Sequence, residues 1–188
     1  FWPVAMDAKY HDVEAMEDGS ILLTLFNGGI RNDENEHIAK LLRQKSKILV
    51  AFGSCACEGC IPGLANLSPV GDIVHTAFNT ITTDNPNEIY PRTSYDVPEG
   101  ELHIPTLSRI VRPLEQVVDV DYFMPGCPPE SHQIAAVIDL VIKVVKGEAE
   151  LPPKGSVISC GDSTVCDECP RARNVKFIKE FKRIQDIA

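Results

Sequence analysis

The seven cysteines of this 188-residue chain are the side chains best suited to chemistry, and they fall into three groups. The groups are Cys55, Cys57 and Cys60; then Cys127, within Pro-Gly-Cys-Pro-Pro; and finally Cys160, Cys166 and Cys169. Thiolates grouped in this way are typical ligands of soft metals, and iron-sulfur clusters are the first interpretation. Because seven is an odd number, a full set of disulfides would leave one thiol unpaired, which favours metal ligation in a reducing compartment.

The first two groups leave alternatives open. Three thiols between Cys55 and Cys60 would be prone to oxidation unless they are ligated or paired. Cys55 and Cys127 could instead be buried free thiols, which is a common environment for cysteine. Rigid turns are expected around both, because Gly53 and Gly126 permit tight turns and two prolines follow Cys127.

The third group has its own competing interpretations. Cys169 is followed directly by Pro170, as in ferredoxin-type cluster sequences, but a zinc knuckle or a loop disulfide is an alternative. A zinc site could also combine Cys57 and Cys60 with Cys166 and Cys169. Structural zinc motifs usually close over shorter loops than this one.

Buried strands are predicted to deliver two of the cysteines to one place. Residues 21–26 and 47–52 are apolar runs typical of strands buried on both faces, and 117–124 is a third strand candidate. Cys55 follows the second of these runs and Cys127 follows the third. Because open α/β sheets bind ligands at the carboxyl ends of their strands, these cysteines become candidates for a single site.

Helical patterns alternate with these strands. Apolar residues recur at helical spacing after residue 37 and again through 131–146, and a further strand is predicted over residues 1–6. Repeated strand-then-helix order predicts an α/β fold with a mainly parallel sheet covered by helices. Residues 61–113 are predicted to be a long irregular excursion with a short helix at 73–78, and segments of this kind are usually functional.

Residues 150–188 are predicted to form a separate, irregular, cysteine-bearing appendage that ends in a basic amphipathic helix over 175–187. The remaining residues, 1–149, would form the main domain. A net charge of −9 argues against nucleic-acid binding. No apolar run approaches the roughly 20 residues of a membrane span, and no glycine-rich loop indicates a nucleotide.

Three stretches of sequence resemble the small subunit of [NiFe] hydrogenases. They are Gly-Ser-Cys-Ala at 53–56 continuing into Gly-Cys-Ile-Pro-Gly-Leu-Ala-Asn-Leu at 59–67, Val-Asp-Tyr-Phe-Met-Pro-Gly-Cys-Pro-Pro at 120–129, and Val-Cys-Asp-Glu-Cys-Pro-Arg at 165–171. The likeness covers almost the whole chain. It is nearest to the cytosolic, methyl-viologen-reducing, F420-non-reducing type that works with heterodisulfide reductase.

The resemblance implies a flavodoxin-like domain with helices on both faces of its sheet. It implies a proximal [4Fe-4S] cluster with Cys55 and Cys127 among its ligands, and at least one further cluster near Cys166 and Cys169. A large partner subunit would carry the NiFe centre, and electrons would pass to a downstream acceptor subunit, linked to heterodisulfide reductase. The protein would be cytoplasmic, non-catalytic alone, and without flavin.

The sequence departs from the family pattern at several positions. Cys57 and Cys60 lie where relatives commonly lack cysteine, so they are candidate substitute ligands, and Cys160 has no assigned family role. Two proximal ligands would come from a Cys-x-x-Cys pair upstream of this sequence, and further C-terminal cysteines would follow it. We therefore expect the sequence to be cut at both ends.

Two other functions remain open at this point. The homologous cluster-bearing subunit of quinone-reducing respiratory complexes shares the Pro-Gly-Cys-Pro-Pro element, but it lacks the C-terminal cluster motif. A zinc-stabilised interaction module without redox activity is the alternative from another class.

Overall fold

The computed structural model describes residues 9–80, 82–158, 169–170 and 183. In chain order the elements are α1 (Tyr10–Glu14), β1 (Ile21–Asn27), β2 (Ile30–Asn32), α2 (Asp33–Lys45), β3 (Ser46–Phe52), α3 (Ser54–Glu58), α4 (Cys60–Gly63), a 3₁₀ turn (Leu64–Leu67), α5 (Val70–Phe78), β4 (Ser94–Val97), β5 (Gly100–His103), β6 (Leu107–Arg112), a 3₁₀ turn (Leu114–Gln116), β7 (Tyr122–Met124) and α6 (Ser131–Val145).

The central sheet is parallel, with strand order β1-β3-β7. Successive side chains of β3 point to opposite faces. Leu49 and Ala51 therefore pack with Ala39 of α2 on one face, while Val50 packs with Val137 of α6 on the other. This arrangement confirms the predicted α/β fold, with a parallel sheet and helices on both of its faces.

The two long helices begin and end as their sequences predict. The side chain of Asn32 caps α2 by accepting a hydrogen bond from the Asn35 backbone N–H at 2.7 Å. Acidic residues lie in the first turn of α2 and basic residues in the last, which suits the helix dipole. Helix α6 matches the predicted 131–146 closely, although Ile138 and Ile142 of its apolar pattern are exposed.

Two strand predictions need correction. The strand predicted over 117–124 is confined to Tyr122–Met124, because the backbone N–H groups of Val117 and Val118 donate to the Leu114 carbonyl and close a turn. Strand β1 agrees with the predicted 21–26, but it is not buried on both faces. Leu22 and Leu25 are exposed because β1 lies at the edge of the described sheet.

The prediction of an irregular segment over 61–113 is wrong. Besides α5, which contains the predicted 73–78 helix, the segment holds α4, a hairpin of β4 and β5, and β6. Strand β6 pairs antiparallel with β2, which lies more than 70 residues earlier in the chain. The segment is therefore attached to the domain by its own small sheet.

The chain after α6 returns to the central sheet. The Phe123 backbone N–H donates to the Ser156 carbonyl at 3.0 Å, and the Ile158 N–H donates to the Phe123 carbonyl at 2.9 Å. These bonds form a parallel bridge between Phe123 and Val157. The predicted strand over 1–6 and helix over 175–187 lie outside the described residues. Among the helices that are described, none is long and apolar enough to cross a membrane.

Candidate functional site

The loops that follow β3 and β7 meet at the carboxyl edge of the sheet. The Gly53 N–H donates to the Met124 carbonyl, and the Ser54 N–H donates to the Gly126 carbonyl, both at 2.8 Å. In return, the Gly126 N–H donates to the Ser54 hydroxyl oxygen at 3.0 Å. Since Cys55 and Cys127 come directly after Ser54 and Gly126, these bonds join the two cysteine loops.

Glycine is required at both joints of this site. Gly53 has φ +85°, and a Cβ there would lie 3.4 Å from the Asn27 amide nitrogen and 3.5 Å from the Gly126 carbonyl oxygen. Gly126 has φ +145°, and a Cβ there would lie only 2.5 Å from the Cα of Pro129. A side chain at position 126 would therefore force the Cys127 loop away from its present position, whereas at position 53 the positive φ is what favours glycine.

Cys55 lies close to two other cysteines. Burial raises the pKa of its thiol, and the neighbouring Cys60 and Cys127 raise it further, because a thiolate at either position would repel one at Cys55. Cys55 and Cys60 are half-buried and Cys127 is exposed. The structure thus brings together the predicted pair, Cys55 and Cys127, and adds Cys60 beside it.

Cys57 lies apart from these thiols. It belongs to the hydrophobic core with Ala51 and Leu114, and its thiol donates to the Ala51 carbonyl at 3.3 Å. Burial raises the pKa of this thiol. The position therefore favours a packing role for Cys57 over the substitute-ligand role considered from the sequence. It also disfavours the zinc site that would use Cys57.

Unlike Cys57, Cys60 is brought close to Cys55 by a turn of the backbone. Gly59 has φ +88° and ends α3, and Cys60 follows with φ +44°, in the left-handed region that non-glycine residues rarely adopt. This reversal between α3 and α4 returns the chain toward Cys55. Sequence spacing alone does not show it.

The C-terminal cysteines are only partly described. Cys169 is exposed, and Cys160 and Cys166 lie outside the described residues. In the part of the chain that the structure describes, no three His, Cys, Asp or Glu side chains form a ready metal site. Thiols are the donors that an iron-sulfur cluster takes, so Cys55, Cys60 and Cys127 fit such a group chemically and would form part of a ligand set for it.

Two residues at this edge were not singled out as site residues from the sequence. Ser54 joins the cysteine loops, and Asn27 donates its side-chain amide to the Phe52 carbonyl at 3.3 Å, which ties the end of β1 to the end of β3. Their positions, at the end of a predicted strand and directly before a cysteine, place them at this edge, but no sequence pattern indicates the bonds that they make.

An exposed apolar surface lies beside the cysteine loops. It is formed by α4, the 3₁₀ turn after it and β6, and we call it the apolar patch; its exposed residues are Ile61, Leu64, Leu67, Leu107 and Ile110. The Asn66 amide crosses from the turn to β6, donating to the Val111 carbonyl at 2.9 Å and accepting from the Val111 N–H at 2.7 Å. An open groove of about 580 Å³ runs along the same elements.

Comparison with known proteins agrees with this architecture. An iron-sulfur subunit of the F420-non-reducing hydrogenase from Archaeoglobus profundus is 44% identical over 99% of this chain and 58% of its own length. A vhu subunit of the F420-non-reducing hydrogenase from Methanocaldococcus jannaschii is 39% identical over 86% of the chain and 49% of its own length. The chain thus spans about half the length of these curated relatives.

A solved structure of an NAD⁺-reducing [NiFe]-hydrogenase in the H₂-reduced state also matches. It has a TM-score of 0.58 and 29% identity, and the match covers 72% of this chain and 71% of that one. The resemblance to hydrogenase small subunits, and to the F420-non-reducing type among them, is therefore confirmed. The profile of the NADH ubiquinone oxidoreductase 20 kDa subunit family matches residues 2–141. The chain belongs to this family.

Proposed function

We propose that this chain is the electron-transfer part of a [NiFe] hydrogenase small subunit. The observation that carries the proposal is the placement of Cys55 and Cys127 at the ends of adjacent parallel strands, in loops joined by hydrogen bonds. The hydrogenase subunits among its relatives support the same function. Hydrogen would be split at a NiFe centre in a large partner subunit, and this chain would not react with hydrogen alone.

Cys55 and Cys127 would bind a proximal [4Fe-4S] cluster, with Cys60 as a further candidate ligand from the same edge. Cys166 and Cys169, in the proposed appendage of residues 150–188, would bind a further cluster. Bound there, the clusters would accept and pass on single electrons. The protein's contribution is to hold the thiols in a rigid frame, to bury one side of the site and to limit its contact with water.

The cluster proposal can be tested on the full-length protein, coproduced with a hydrogenase large subunit and purified without oxygen. Cys55→Ser and Cys127→Ser should each lower iron and acid-labile sulfide and remove one EPR signal that hydrogen reduces. Cys57→Ser is the matched control, because a serine there can still donate to the Ala51 carbonyl. Stoichiometric zinc without labile sulfide would instead support the zinc module and refute the proposal.

The large subunit would dock on the apolar patch. Monomeric proteins rarely leave such surfaces uncovered, and this one lies next to the loop that holds Cys60. Leu67 is 84% exposed, so Leu67→Glu should leave the isolated chain folded while reducing copurification with the large subunit. Val145→Glu on α6, where the valine is 64% exposed, is the control. Equal copurification of both variants would place the interface elsewhere.

A quinone-reducing respiratory complex is the second candidate, since the family takes its name from NADH ubiquinone oxidoreductase. The Cys166 and Cys169 motif favours the hydrogenase. Hydrogen-dependent dye reduction by the assembled complex would support the hydrogenase, whereas NADH-dependent quinone reduction without hydrogen uptake would support the alternative. The link to heterodisulfide reductase and the cytoplasmic location stay predictions.

A further inference from the structure

Ser54 makes two hydrogen bonds between the two cysteine loops, one through its backbone N–H and one through its side-chain hydroxyl. Its backbone N–H donates to the Gly126 carbonyl at 2.8 Å, and its hydroxyl oxygen accepts from the Gly126 N–H at 3.0 Å. Ser54 thus binds both polar groups of one residue that lies 72 positions away. Each partner immediately precedes a cysteine.

The backbone pairing alone does not fix this geometry. Beyond the ladder between β3 and β7, two backbone bonds continue the contact, from the Gly53 N–H to the Met124 carbonyl and from the Ser54 N–H to the Gly126 carbonyl. The chain turns at Gly126, whose φ of +145° is accessible mainly to glycine. The Gly126 N–H is directed to a side chain, so its partner depends on the residue type at position 54.

We propose that Ser54 is a positioning residue that couples the Cys55 loop to the Cys127 loop and so sets the separation of the two thiols. This inference rests on the proposed function for its effect on a cluster, but the coupling itself does not depend on it. Alanine at position 54 keeps the backbone bond and removes the hydroxyl acceptor. Threonine keeps both.

Ser46→Ala is a matched control. The Ser46 hydroxyl also bridges two chain segments, because it shares a hydrogen bond of 2.6 Å with the Thr24 hydroxyl between β1 and β3. It lies at the start of β3, the opposite end from Cys55. Its loss removes a comparable interaction without touching the cysteine loops.

The first measurement is amide hydrogen exchange at Gly126 in the cluster-free full-length protein. Ser54→Ala should accelerate exchange about fivefold, the factor expected for the loss of one ordinary hydrogen bond. Ser54→Thr and Ser46→Ala should leave it near the wild-type rate. Unchanged exchange in Ser54→Ala would overturn the coupling.

The second measurement is the EPR spectrum and midpoint potential of the proximal cluster in the assembled complex, together with its iron content. Ser54→Ala should shift the spectrum and the potential, Ser54→Thr should restore both, and Ser46→Ala should leave both unchanged. Faster exchange with an unchanged spectrum and potential would overturn the positioning role. A wild-type protein without iron would overturn the proposed function, and exchange at Gly126 would then decide the coupling alone.

Discussion

The carboxylate of Asp121 offers the sharpest test of how β7 is held. It is 5% exposed and accepts hydrogen bonds from the Arg43 guanidinium at 2.6 Å and from the Leu49 N–H at 2.8 Å. It also forms an ion pair with Lys154. Asp121 therefore links the end of α2, strand β3, the start of β7 and the returning C-terminal segment. Asp121→Asn removes the charge and keeps the shape.

The loss of stability caused by Asp121→Asn can be worked out from the groups that contact the carboxylate. Breaking a buried ion pair by removing one charge costs ~3–5 kcal/mol. The cost is smaller here, because the Arg43 side chain is 23% exposed to water and would keep its hydrogen bond to the Ser46 carbonyl, at 2.7 Å, in the variant. Asparagine still accepts from the Leu49 N–H. Lys154 is 76% exposed, so its ion pair contributes ~0–1 kcal/mol. We expect a net loss of about 2 kcal/mol in the free energy of unfolding.

Urea unfolding of the full-length protein at pH 7 measures this loss. With a slope of about 2 kcal/mol per molar urea, the midpoint should fall by about 1 M. Asp139→Asn is the control, because Asp139 and Lys143 form an exposed pair one helical turn apart, and such pairs contribute about 0.5 kcal/mol or less. Equal midpoint shifts in the two variants would refute the reasoning.

The same substitution predicts a change in acid stability. Burial acts to raise the pKa of Asp121, but hydrogen bonds from Arg43, Lys154 and the Leu49 N–H outweigh it, so the pKa is lowered. A lowered pKa in the folded state gives stability that is present above the unfolded pKa of about 3.9. This stability is lost as pH falls through the folded value. The gap between wild type and Asp121→Asn should therefore close below about pH 4, and a constant gap would contradict the assignment.

Three further outcomes follow from single contacts. Gly126→Ala should lower the urea midpoint and the iron content together, because its Cβ would lie 2.5 Å from the Pro129 Cα; unchanged iron would contradict this. Asn66→Ala should cost about 1–3 kcal/mol in thermal unfolding, since it leaves both polar groups of Val111 without their partner. Hydrogen bonds from Lys40 and Arg112 lower the pKa of Glu36 from 4.5 to about 2. Glu36→Gln should therefore reduce the loss of stability between those pH values in acid titration, and an unaltered acid transition would argue against these bonds.

The placement of Cys55 and Cys127 was predictable from the sequence because it depends on strand order and on little else. Two predicted strands each ended a few residues before a cysteine, and neighbouring parallel strands bring such ends to one edge. The orientation of Cys57 was not predicted, because α3 was not recognised. Two residues apart on a helix correspond to about 200° of rotation, so when Cys55 faces the loop edge, Cys57 must face the core.

Other features depend on contacts between distant residues, which single-sequence patterns do not contain. Strand β6 was missed because the segment 61–113 is rich in Pro, Asn, Thr and Asp, and because its partner β2 is a strand of only three residues paired with a shifted register. The Ser54 bond to Gly126 spans 72 residues and involves a backbone group on one side. A serine before a cysteine carries no signal of such a bond. The helix periodicity of α6 was visible, but it did not distinguish buried Val137 from exposed Ile138.

The shortness of β7 explains why these separate contacts matter together. Only Tyr122–Met124 pairs with β3, and three residues of ladder are too few to fix the position of the loop that follows. Asp121 anchors the strand at its start, the bridge from Phe123 to Val157 supports its outer edge, and Ser54 holds the chain just beyond its end. Each of these contacts holds β7 or the chain just beyond it. Loss of any one of them should therefore loosen Cys127, which follows β7, more than Cys55. The position of Cys55 is supported independently by the seven-residue strand β3, which pairs with β1 along most of its length and with β7 over its last three residues.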